Sequence, residues 1–555
     1  MLGWPSQAVG LPGFAPPSRQ CFSHVLAVYL AILAQVPTFA RLRSVLAMRR
    51  FTIVTFGCQM NEHDSSRMAE ILVAAGHREA KLVEFADTVI LNTCSIREKA
   101  AQKLRSEVGR LAMRKREQPD FMIVVAGCLG QQEGEKLLKS APEIDLVVGP
   151  DNIAALPALI ADFELGGTAR VLTEFDLDAP RFLASNPATG RTPPATYVTV
   201  MKGCDERCSF CIVPHTRGAE RYRPSREIID EISLLVASGV REVTLLGQTV
   251  NSYRDPNAEL PRAPYTGESR WQHTSRIVAE ADESEFPALL WAIVQHAPGL
   301  LRLRYTSPHP RHLTRALVEA HRGISILAKH LHLPVQSGNN AVLKRMIRRY
   351  TREEYVERTA ALLDAVPDLV LSTDVIVGFP GETVEQFQDT LSLIDEREFV
   401  GVFAFKYSPR PFTPALKLGD DISEAEKSNR LAELFARHDP KRRSRLSSLV
   451  GSVQQVLIEG QKADGAYTGR TARNEIVHLA AKADITGKLV PVRIALAFKN
   501  SLAAETVDES LRVDARELPK LARTADRAKV EAVDDVTPSR DESAGATTRV
   551  QLPVL

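Results

Sequence analysis

The chain has 555 residues, of which 44% are hydrophobic, so it is long enough for three or four folded domains. Its 70 Lys and Arg residues nearly balance its 68 Asp and Glu residues, so only local basic patches could indicate nucleic-acid binding. Seven cysteines in a chain of this length exclude a disulfide-rich secreted scaffold.

The first 48 residues are expected to lie outside the folded domains. They contain no acidic residue, and the apolar run at 25–36 is too short to span a bilayer. We interpret 1–48 as an extension or a mis-assigned start, with Met48 as the true start and Cys21 as a bystander. An organelle transit peptide is the alternative.

Residues 49–167 alternate predicted strands with predicted helices. The strands lie at 51–56, 87–92, 121–126 and 146–148, and the helices at 65–75, 97–116 and 131–138. Such alternation predicts a parallel sheet with helices on both faces.

Three cysteines follow three of these strands at the same offset. Cys58, Cys94 and Cys128 each come two residues after a predicted strand, at the edge where α/β sheets bind ligands. Gly57 and Gly127 precede two of them and suit sharp turns. The pattern predicts a metal site, and three buried structural cysteines are the alternative.

A linker rich in Pro, Ala and Thr is predicted at 168–195, before a second α/β region at 196–446. Its predicted strands lie at 197–201, 242–246, 301–304, 330–334, 369–377 and 400–407. Six strand–helix units indicate a partial (β/α)6 barrel, with a polar surface insertion at 255–285.

The first barrel strand leads into a Cys-x-x-x-Cys-x-x-Cys run formed by Cys204, Cys208 and Cys211. Three thiolates leave one iron of a four-iron cluster open, and an open metal position is where a substrate or cofactor binds. A zinc knuckle is the alternative, but only His215 is near enough in sequence to complete a zinc site.

Residues 447–511 change to short alternating strands, clearest at 454–459, 476–479 and 489–494. They predict a small all-β barrel of the oligonucleotide-binding type. Residues 512–555 are charged and poor in aromatic residues, which predicts a disordered tail.

Several runs together resemble one enzyme family, the radical S-adenosylmethionine (SAM) methylthiotransferases, and in particular its tRNA branch. The runs are FGCQMNEHDS at 56–65, NTCSIREKA at 92–100, KGCDERCSFC at 202–211, HLPVQSG at 332–338 and STDVIVGFPGET at 372–383. The resemblance covers roughly residues 49–507. His215, Thr249 and Phe412 depart from the family pattern, and His215 could stack on a base.

The resemblance implies two [4Fe–4S] clusters and two SAM molecules per turnover. Cys204, Cys208 and Cys211 would hold the cluster that cleaves SAM to a radical, and Cys58, Cys94 and Cys128 an auxiliary cluster that supplies or carries sulfur. The radical would remove the hydrogen from carbon 2 of N(6)-dimethylallyladenosine next to the anticodon, where the methylthio group is added.

The resemblance also suggests residues that contact SAM. They are Phe210, Gly247, Gln248, Gln336, Ser337 and Asp374. Barrel packing or helix capping would explain them otherwise, and Ser337 could cap the following helix.

RNA binding is expected from the C-terminal barrel and from basic clusters. The run GRTARNE at 469–475 looks like the RNA-binding TRAM module, and the residues we assign to RNA are Arg470, Arg473, Lys441, Arg442 and Arg443. The implied substrate is the anticodon stem-loop of a tRNA.

We expect a monomeric cytoplasmic enzyme without membrane contact, served by an electron donor and a sulfur donor that the sequence does not identify. Three other functions are alternatives to this one. They are methylthiolation of a ribosomal-protein side chain, methylthiolation of threonylcarbamoyladenosine in tRNA, and a cluster-carrying RNA-binding protein without turnover.

Overall fold

The computed structural model describes residues 48–96, 98–168, 170–175, 181–186, 192–260 and 284–513. The expectations for the N-terminal extension up to residue 47 and for the tail from residue 514 concern residues outside these ranges, as does most of the predicted insertion, 261–283. Within the described part of the chain, no helix is long and apolar enough to cross a membrane.

The N-terminal domain is a six-stranded parallel sheet in the order β2-β1-β3-β4-β5-β6. Its strands are β1 Arg50–Phe56, β2 Arg78–Glu79, β3 Thr88–Thr93, β4 Met122–Ala126, β5 Leu146–Val148 and β6 Arg170–Leu172. Its helices are α1 Gln59–Ala74, α2 Glu98–Glu117, α3 Cys128–Glu133, α4 Glu135–Ser140 and α5 Leu156–Glu164.

Two separate apolar cores cover the two faces of this sheet. Leu91 and Val125 point into one core with α2, whereas Ile90 and Val124 point into the other with α1 and α5. Neighbouring residues of a strand point to opposite faces, so strands β3 and β4 are buried on both sides. The predicted parallel sheet with helices on both faces is confirmed.

The central domain places six parallel strands in two adjoining three-stranded sheets, joined by a parallel bridge between Leu303 and Leu327. The strands are β7 Ala195–Thr199, β10 Glu242–Leu246, β11 Arg302–Tyr305, β12 His330–His332, β13 Val370–Val377 and β14 Phe399–Lys406. A small hairpin, β8 Met201–Lys202 and β9 Arg221–Tyr222, frames the cysteine loop. This is the partial (β/α)6 barrel that the sequence predicts.

Helices cover the outside of the barrel, and one apolar core of more than forty side chains fills the space between layers. The helices are α6 Val213–Arg217, α7 Ser225–Ala237, α8 Phe286–His296, α9 Arg315–Gly323, α10 Asn340–Arg345, α11 Arg352–Ala365, α12 Val384–Glu396 and α13 Glu424–Ser448.

The C-terminal domain is a closed barrel in the order β15-β16-β17-β19-β18. Its strands are β15 Val453–Gln461, β16 Tyr467–Thr471, β17 Ile476–Leu479, β18 Leu489–Ala497 and β19 Leu502–Thr506. Closure removes free strand edges, as expected for a small barrel of the oligonucleotide-binding type.

Several elements differ from the sequence predictions, and two of them illustrate why. Strand β6 lies within the predicted linker, because three residues of edge strand are too short to give a periodic signal. Helix α13 has 25 residues and was not predicted, since Pro440 inside it is usually a helix breaker.

The C-terminal barrel docks on the central domain through buried charges. Glu242 accepts hydrogen bonds from Arg302 at 2.9 Å and Arg304 at 2.7 Å. The same two guanidinium groups donate to the main-chain oxygens of Arg470 and Thr471, at 3.0 and 2.9 Å. The Arg470–Thr471 segment is therefore held by the amino-terminal ends of β10 and β11.

Candidate functional site: two cysteine trios at one opening

The N-terminal trio, Cys58, Cys94 and Cys128, comes together at the carboxyl edge of the parallel sheet. Cys58 is the N-cap residue of α1, Cys94 follows β3 directly, and Cys128 is the first residue of α3. Gly127 has a φ of +88°, and a Cβ there would lie far inside van der Waals distance of the Asn92 side chain. This turn therefore requires glycine.

Two buried asparagines support the N-terminal trio from below. Asn61 donates to the Asn92 side-chain oxygen at 2.9 Å, and Asn92 donates to the Asn61 main-chain oxygen at 2.7 Å. The Cys58 thiol lies 3.3 Å from the Asn61 side-chain oxygen. Both amides are fully buried, so they fix the turns that carry the thiols.

The three thiols of the N-terminal trio share one electrostatic environment. A hydrogen bond from the Cys94 thiol lowers the pKa of Cys58 to about 6 against the effect of burial. The same bond raises the pKa of Cys94, and burial raises the pKa of Cys128. One thiolate is favoured here, and a second or third thiolate is not. All three thiols would therefore ionise only beside a bound cation.

A buried arginine from the central domain supplies positive charge to this trio. Arg217, at the end of α6, donates from Nε to the Cys128 sulfur at 3.3 Å. Its Nη2 forms an ion pair with Asp64 at 2.6 Å. Although burial alone would raise it, Arg217 and His63 lower the pKa of Asp64 to about 2. The trio is thus completed by a residue of the neighbouring domain.

The second trio lies in the loop between β8 and α6. Gly203, with a φ of +78°, precedes Cys204, and a Cβ at Gly203 would overlap the Ala219 carbonyl. Gln248 accepts a hydrogen bond from the Gly203 main-chain nitrogen at 2.5 Å, and Thr249 lies 2.9 Å from the Cys204 sulfur. Residues after β10 therefore position this loop.

A second buried arginine contacts this trio. Arg348 donates to the Cys208 sulfur at 3.2 Å and to the Pro334 carbonyl at 3.0 Å. Burial raises the pKa of Cys204 and that of Cys211 to about 12. Each trio therefore combines buried and half-buried thiols with one guanidinium group, and a bound metal cation would favour the thiolate forms of Cys204 and Cys211.

One loop, which follows β14, contacts both cysteine trios. After β14, the main-chain nitrogen of Ala415 donates to the Ser209 oxygen at 2.8 Å. Arg410 in the same loop donates to the Ile96 oxygen at 2.7 Å. Ser209 lies within the second trio, and the Ile96 nitrogen donates to the Cys94 sulfur at 3.3 Å. Both trios therefore contact this loop, and we call the region beside it the opening.

The donor sets fit iron–sulfur clusters better than single ions. Tetrahedral zinc with sulfur ligands at 2.3 Å would bring the sulfurs to about 3.8 Å from one another. Among the described residues, neither trio has all three ligand atoms within 4.8 Å of one another. At least one pair of thiols in each trio is therefore further apart than a single zinc ion would hold them, whereas three thiolates suit a four-iron cluster with one open iron.

The residues predicted to contact SAM lie mostly around the second trio. Gln248 contacts the cysteine loop, Phe210 packs edge-on against Phe379, and Gln336 and Asp374 lie on adjoining chain segments whose main chains are hydrogen-bonded. Ser337 is different, because it is fully buried and its hydroxyl lies 3.3 Å from that of Thr390 on α12. Its surroundings favour the packing alternative.

The cap of α10 is Asn339, whose side-chain oxygen accepts from two main-chain nitrogens. Ser337 does not cap this helix, contrary to the capping alternative. Gly247 is also accounted for by space, since a Cβ there would lie 2.5 Å from the Met201 side chain.

The residues assigned to RNA differ in their freedom to bind it. The Arg470 side chain pairs with Glu459 at 3.1 Å, and Arg473 donates to the Asp368 carbonyl at 2.9 Å. On α13, Lys441 pairs with Asp395 at 2.7 Å and Arg442 with Asp439 at 3.3 Å, whereas Arg443 is exposed. Arg470 and Arg473 face the junction between the C-terminal barrel and the central domain.

Sequence reasoning missed Arg217, Arg348 and a polar cluster beside the second trio. In the cluster, ligand atoms of Glu206, His309 and His312 lie within 4.8 Å of one another. Glu206 is also 3.8 Å from an Arg311 nitrogen and 4.0 Å from an Arg349 nitrogen. Two guanidinium groups already balance this carboxylate, so a metal cation is disfavoured here.

Three family profiles match consecutive parts of the chain. They are Uncharacterized protein family UPF0004 at residues 50–149, the Radical SAM superfamily at 198–394 and the TRAM domain at 447–507. The two cysteine trios fall in the first and second of these segments.

Two solved structures resemble the chain more distantly. The radical S-adenosylmethionine methyltransferase TsrM from Kitasatospora setae is 15% identical, with a TM-score of 0.43, over 66% of this chain and 75% of that chain. The cobalamin-dependent S-adenosylmethionine radical enzyme OxsB is 13% identical, with a TM-score of 0.41, over 69% and 57%.

Curated relatives are much closer in sequence and share one name, tRNA-2-methylthio-N(6)-dimethylallyladenosine synthase. The protein from Sorangium cellulosum is 58% identical over 84% of this chain and 95% of its own length. Those from Thermodesulfovibrio yellowstonii and Chromobacterium violaceum are 40% and 41% identical, each over 83% of this chain and 99% of their own. The chain therefore belongs to the family of tRNA-2-methylthio-N(6)-dimethylallyladenosine synthases.

Proposed function

We propose that this protein is a radical SAM enzyme that adds a methylthio group to carbon 2 of N(6)-dimethylallyladenosine next to the anticodon of tRNA. The observation that carries the proposal is the contact of one loop with both cysteine trios, in a chain 58% identical to a synthase of that name. One trio serves SAM and the other serves sulfur.

We infer that Cys204, Cys208 and Cys211 hold a [4Fe–4S] cluster and that Cys58, Cys94 and Cys128 hold a second. When bound, a cluster with an open iron, together with SAM, supplies the reductive radical chemistry that an unactivated C–H bond requires. Three facts support this inference: each site has three thiols, two thiols of each trio are buried, and one guanidinium group contacts each trio.

The residues around the trios have separate tasks in this proposal. Gln248 and Thr249 orient the Cys204 loop, and Arg348 fixes Cys208 against the segment at 332–338. Arg217 balances the charge of the thiolates at 58, 94 and 128. The buried surroundings of the thiols limit the access of water to the reacting atoms.

The tRNA is proposed to reach the opening with its anticodon loop, while its phosphates meet exposed cations such as Arg443. Sequence-specific RNA recognition targets unpaired loops whose bases can be splayed out, and adenine must leave its stack to expose carbon 2. A monomer in the reducing cytoplasm is the state we propose, with an electron donor and a sulfur donor of unknown identity.

The test is nucleoside mass spectrometry of tRNA from cells that lack the protein. We expect the methylthio mark to disappear while N(6)-dimethylallyladenosine accumulates, and a plasmid copy to restore the mark. A normal methylthio level in the deletion strain would contradict the proposal. Restoration by a Cys204→Ala copy would contradict the assignment of the second trio.

A further inference from the structure

An exposed aromatic pair, Phe412 and His215, involves the loop that contacts both trios. Their ring centroids are 5.6 Å apart at an interplanar angle of 38°. Phe412 is 59% exposed and His215 is also exposed. Neither ring is buried in an apolar core.

The position of the aromatic pair follows from the contacts of its two loops. Phe412 lies between Arg410, which binds the Ile96 carbonyl, and Ala415, which binds the Ser209 carbonyl. His215 is four residues after Cys211. The pair is therefore held by the same connections that bring the two trios together.

The backbone at Phe412 is in a conformation that a bulky residue rarely adopts. Its φ is +69°, and among the described residues it is the one aromatic residue with a positive φ. The left-handed region disfavours a Cβ, so a strained, exposed ring suggests a functional constraint. Glycine would satisfy the same turn without strain, and folding therefore does not require the ring.

Exposed cations lie close in sequence to both rings of the aromatic pair. Arg207, in the loop of the second trio, and Lys417, five residues after Phe412, are both exposed. Exposed cations beside exposed aromatic rings are the pattern by which proteins bind single-stranded RNA, with bases on the rings and phosphates on the cations.

We propose that the aromatic pair is a stacking site for an unpaired nucleobase adjacent to the modified adenosine in the anticodon loop. This inference rests on the proposed function for the identity of the RNA. The Phe412 ring takes one face of the base and His215 supports the ring from behind. Stacking there holds the loop open while the target adenine occupies the space between the trios.

The test measures RNA binding by the cluster-loaded enzyme with anticodon stem-loops that carry 2-aminopurine on either side of the target adenosine. We expect Phe412→Leu and Phe412→Gly to weaken binding roughly tenfold and to abolish the quenching of 2-aminopurine, because a stacked base contributes about 1–3 kcal/mol. Phe412→Trp should retain both. Phe412→Gly relieves the strained turn, so lost binding cannot be ascribed to unfolding.

The matched control is Phe85→Leu, since Phe85 is 58% exposed but precedes β3 at the opposite edge of the sheet. It should bind RNA as the wild-type protein does. If Phe412→Leu binds this RNA with wild-type affinity, and wild-type enzyme prepared in the same way methylthiolates it, the stacking site is overturned. The proposed function is not. A loss confined to RNA that carries the dimethylallyl group would overturn the stacking site too, because the ring would then contact that group and not a base.

Discussion

At the scale of single residues, the six cysteines divide into two sets with different neighbours. Cys204 contacts Thr249, next to Gln248, which accepts from the Gly203 nitrogen, whereas Cys58 contacts Asn61 and Cys94 in the other domain. Because the sets share no ligand, loss of one should leave the other able to bind its cluster.

We predict that Cys58→Ala leaves SAM cleavage intact and abolishes methylthiolation, whereas Cys204→Ala abolishes both. The measurement is release of 5′-deoxyadenosine alongside the methylthio product. Asp230→Asn, in an exposed ion pair on α7 outside both trios, is the control and should change neither. Equal loss of both products in Cys58→Ala would refute the division of labour.

A second prediction concerns the reduction potential of the auxiliary cluster. Arg217→Gln removes the cation beside Cys128, and the reduced cluster should become harder to form, so its potential should fall. Asp64→Asn removes the neighbouring negative charge and should raise the potential. Redox titration monitored by electron paramagnetic resonance in a Cys204→Ala background isolates this cluster.

Arg217→Lys, which keeps the charge, should lie nearer the wild-type potential than Arg217→Gln does. A shift of the same sign for Arg217→Gln and Asp64→Asn would mean that both variants act by disturbing the structure and not through charge.

These residues also mark where sequence reasoning ends. The cysteines could be found because each follows a strand or forms a dense motif, and both signals are local. Arg217 and Arg348 could not, because their sulfur partners are 89 and 140 positions away in the chain. An arginine has the same appearance in a sequence whether it is buried against a thiol or solvated on a helix.

At the scale of the element, the loop after β8 depends on a glycine that admits no side chain. Gly203 has a φ of +78°, and a Cβ there would overlap the Ala219 carbonyl, which belongs to the backbone and cannot rotate away. The loop shape that presents Cys204 is therefore set by this one residue.

Gly203→Ala should prevent cluster assembly at the second trio while leaving the first trio loaded. Iron content per chain should fall to about the level of Cys204→Ala. Gly76→Ala is the matched control, because Gly76 also has a positive φ, +95°, but no atom lies within 4 Å of its added Cβ. Full iron content in Gly203→Ala would show that the loop can adapt.

The elements themselves were predictable in proportion to their periodicity. The strands β3, β4 and β13 were predicted almost to the residue, since β-branched residues predominate in each. Helix α13 was not predicted, because it is largely polar and contains Pro440. Tertiary contacts stabilise it, and one of them is the 3.0 Å hydrogen bond between His438 Nε2 and the Phe399 carbonyl oxygen.

At the scale of the whole molecule, Glu242 links the central domain to the C-terminal barrel. Its two arginine partners are about as buried as it is, and both also bind carbonyl groups of the barrel. Removal of one member of a buried ionic group leaves the others without compensation, which typically costs about 3–5 kcal/mol.

Glu242→Gln should therefore lower the free energy of unfolding by about 3 kcal/mol and loosen the C-terminal barrel. Urea denaturation measures the first effect and limited proteolysis near residue 450 the second. Asp230→Asn, in the exposed pair with Arg226, is the control and should change stability by less than about 0.5 kcal/mol. Equal stability of Glu242→Gln and wild type would contradict the linking role.

The position of Arg217 has a consequence for the order in which the enzyme is made. Cys58, Cys94 and Cys128 leave the ribosome well before residue 217, so the nascent N-terminal domain presents three thiols without their guanidinium partner. Docking of the central domain adds that partner and buries the thiols. Maturation of the site proposed for the auxiliary cluster is thereby tied to completion of the second domain, and an N-terminal domain expressed alone should bind less iron at this trio than the full chain does.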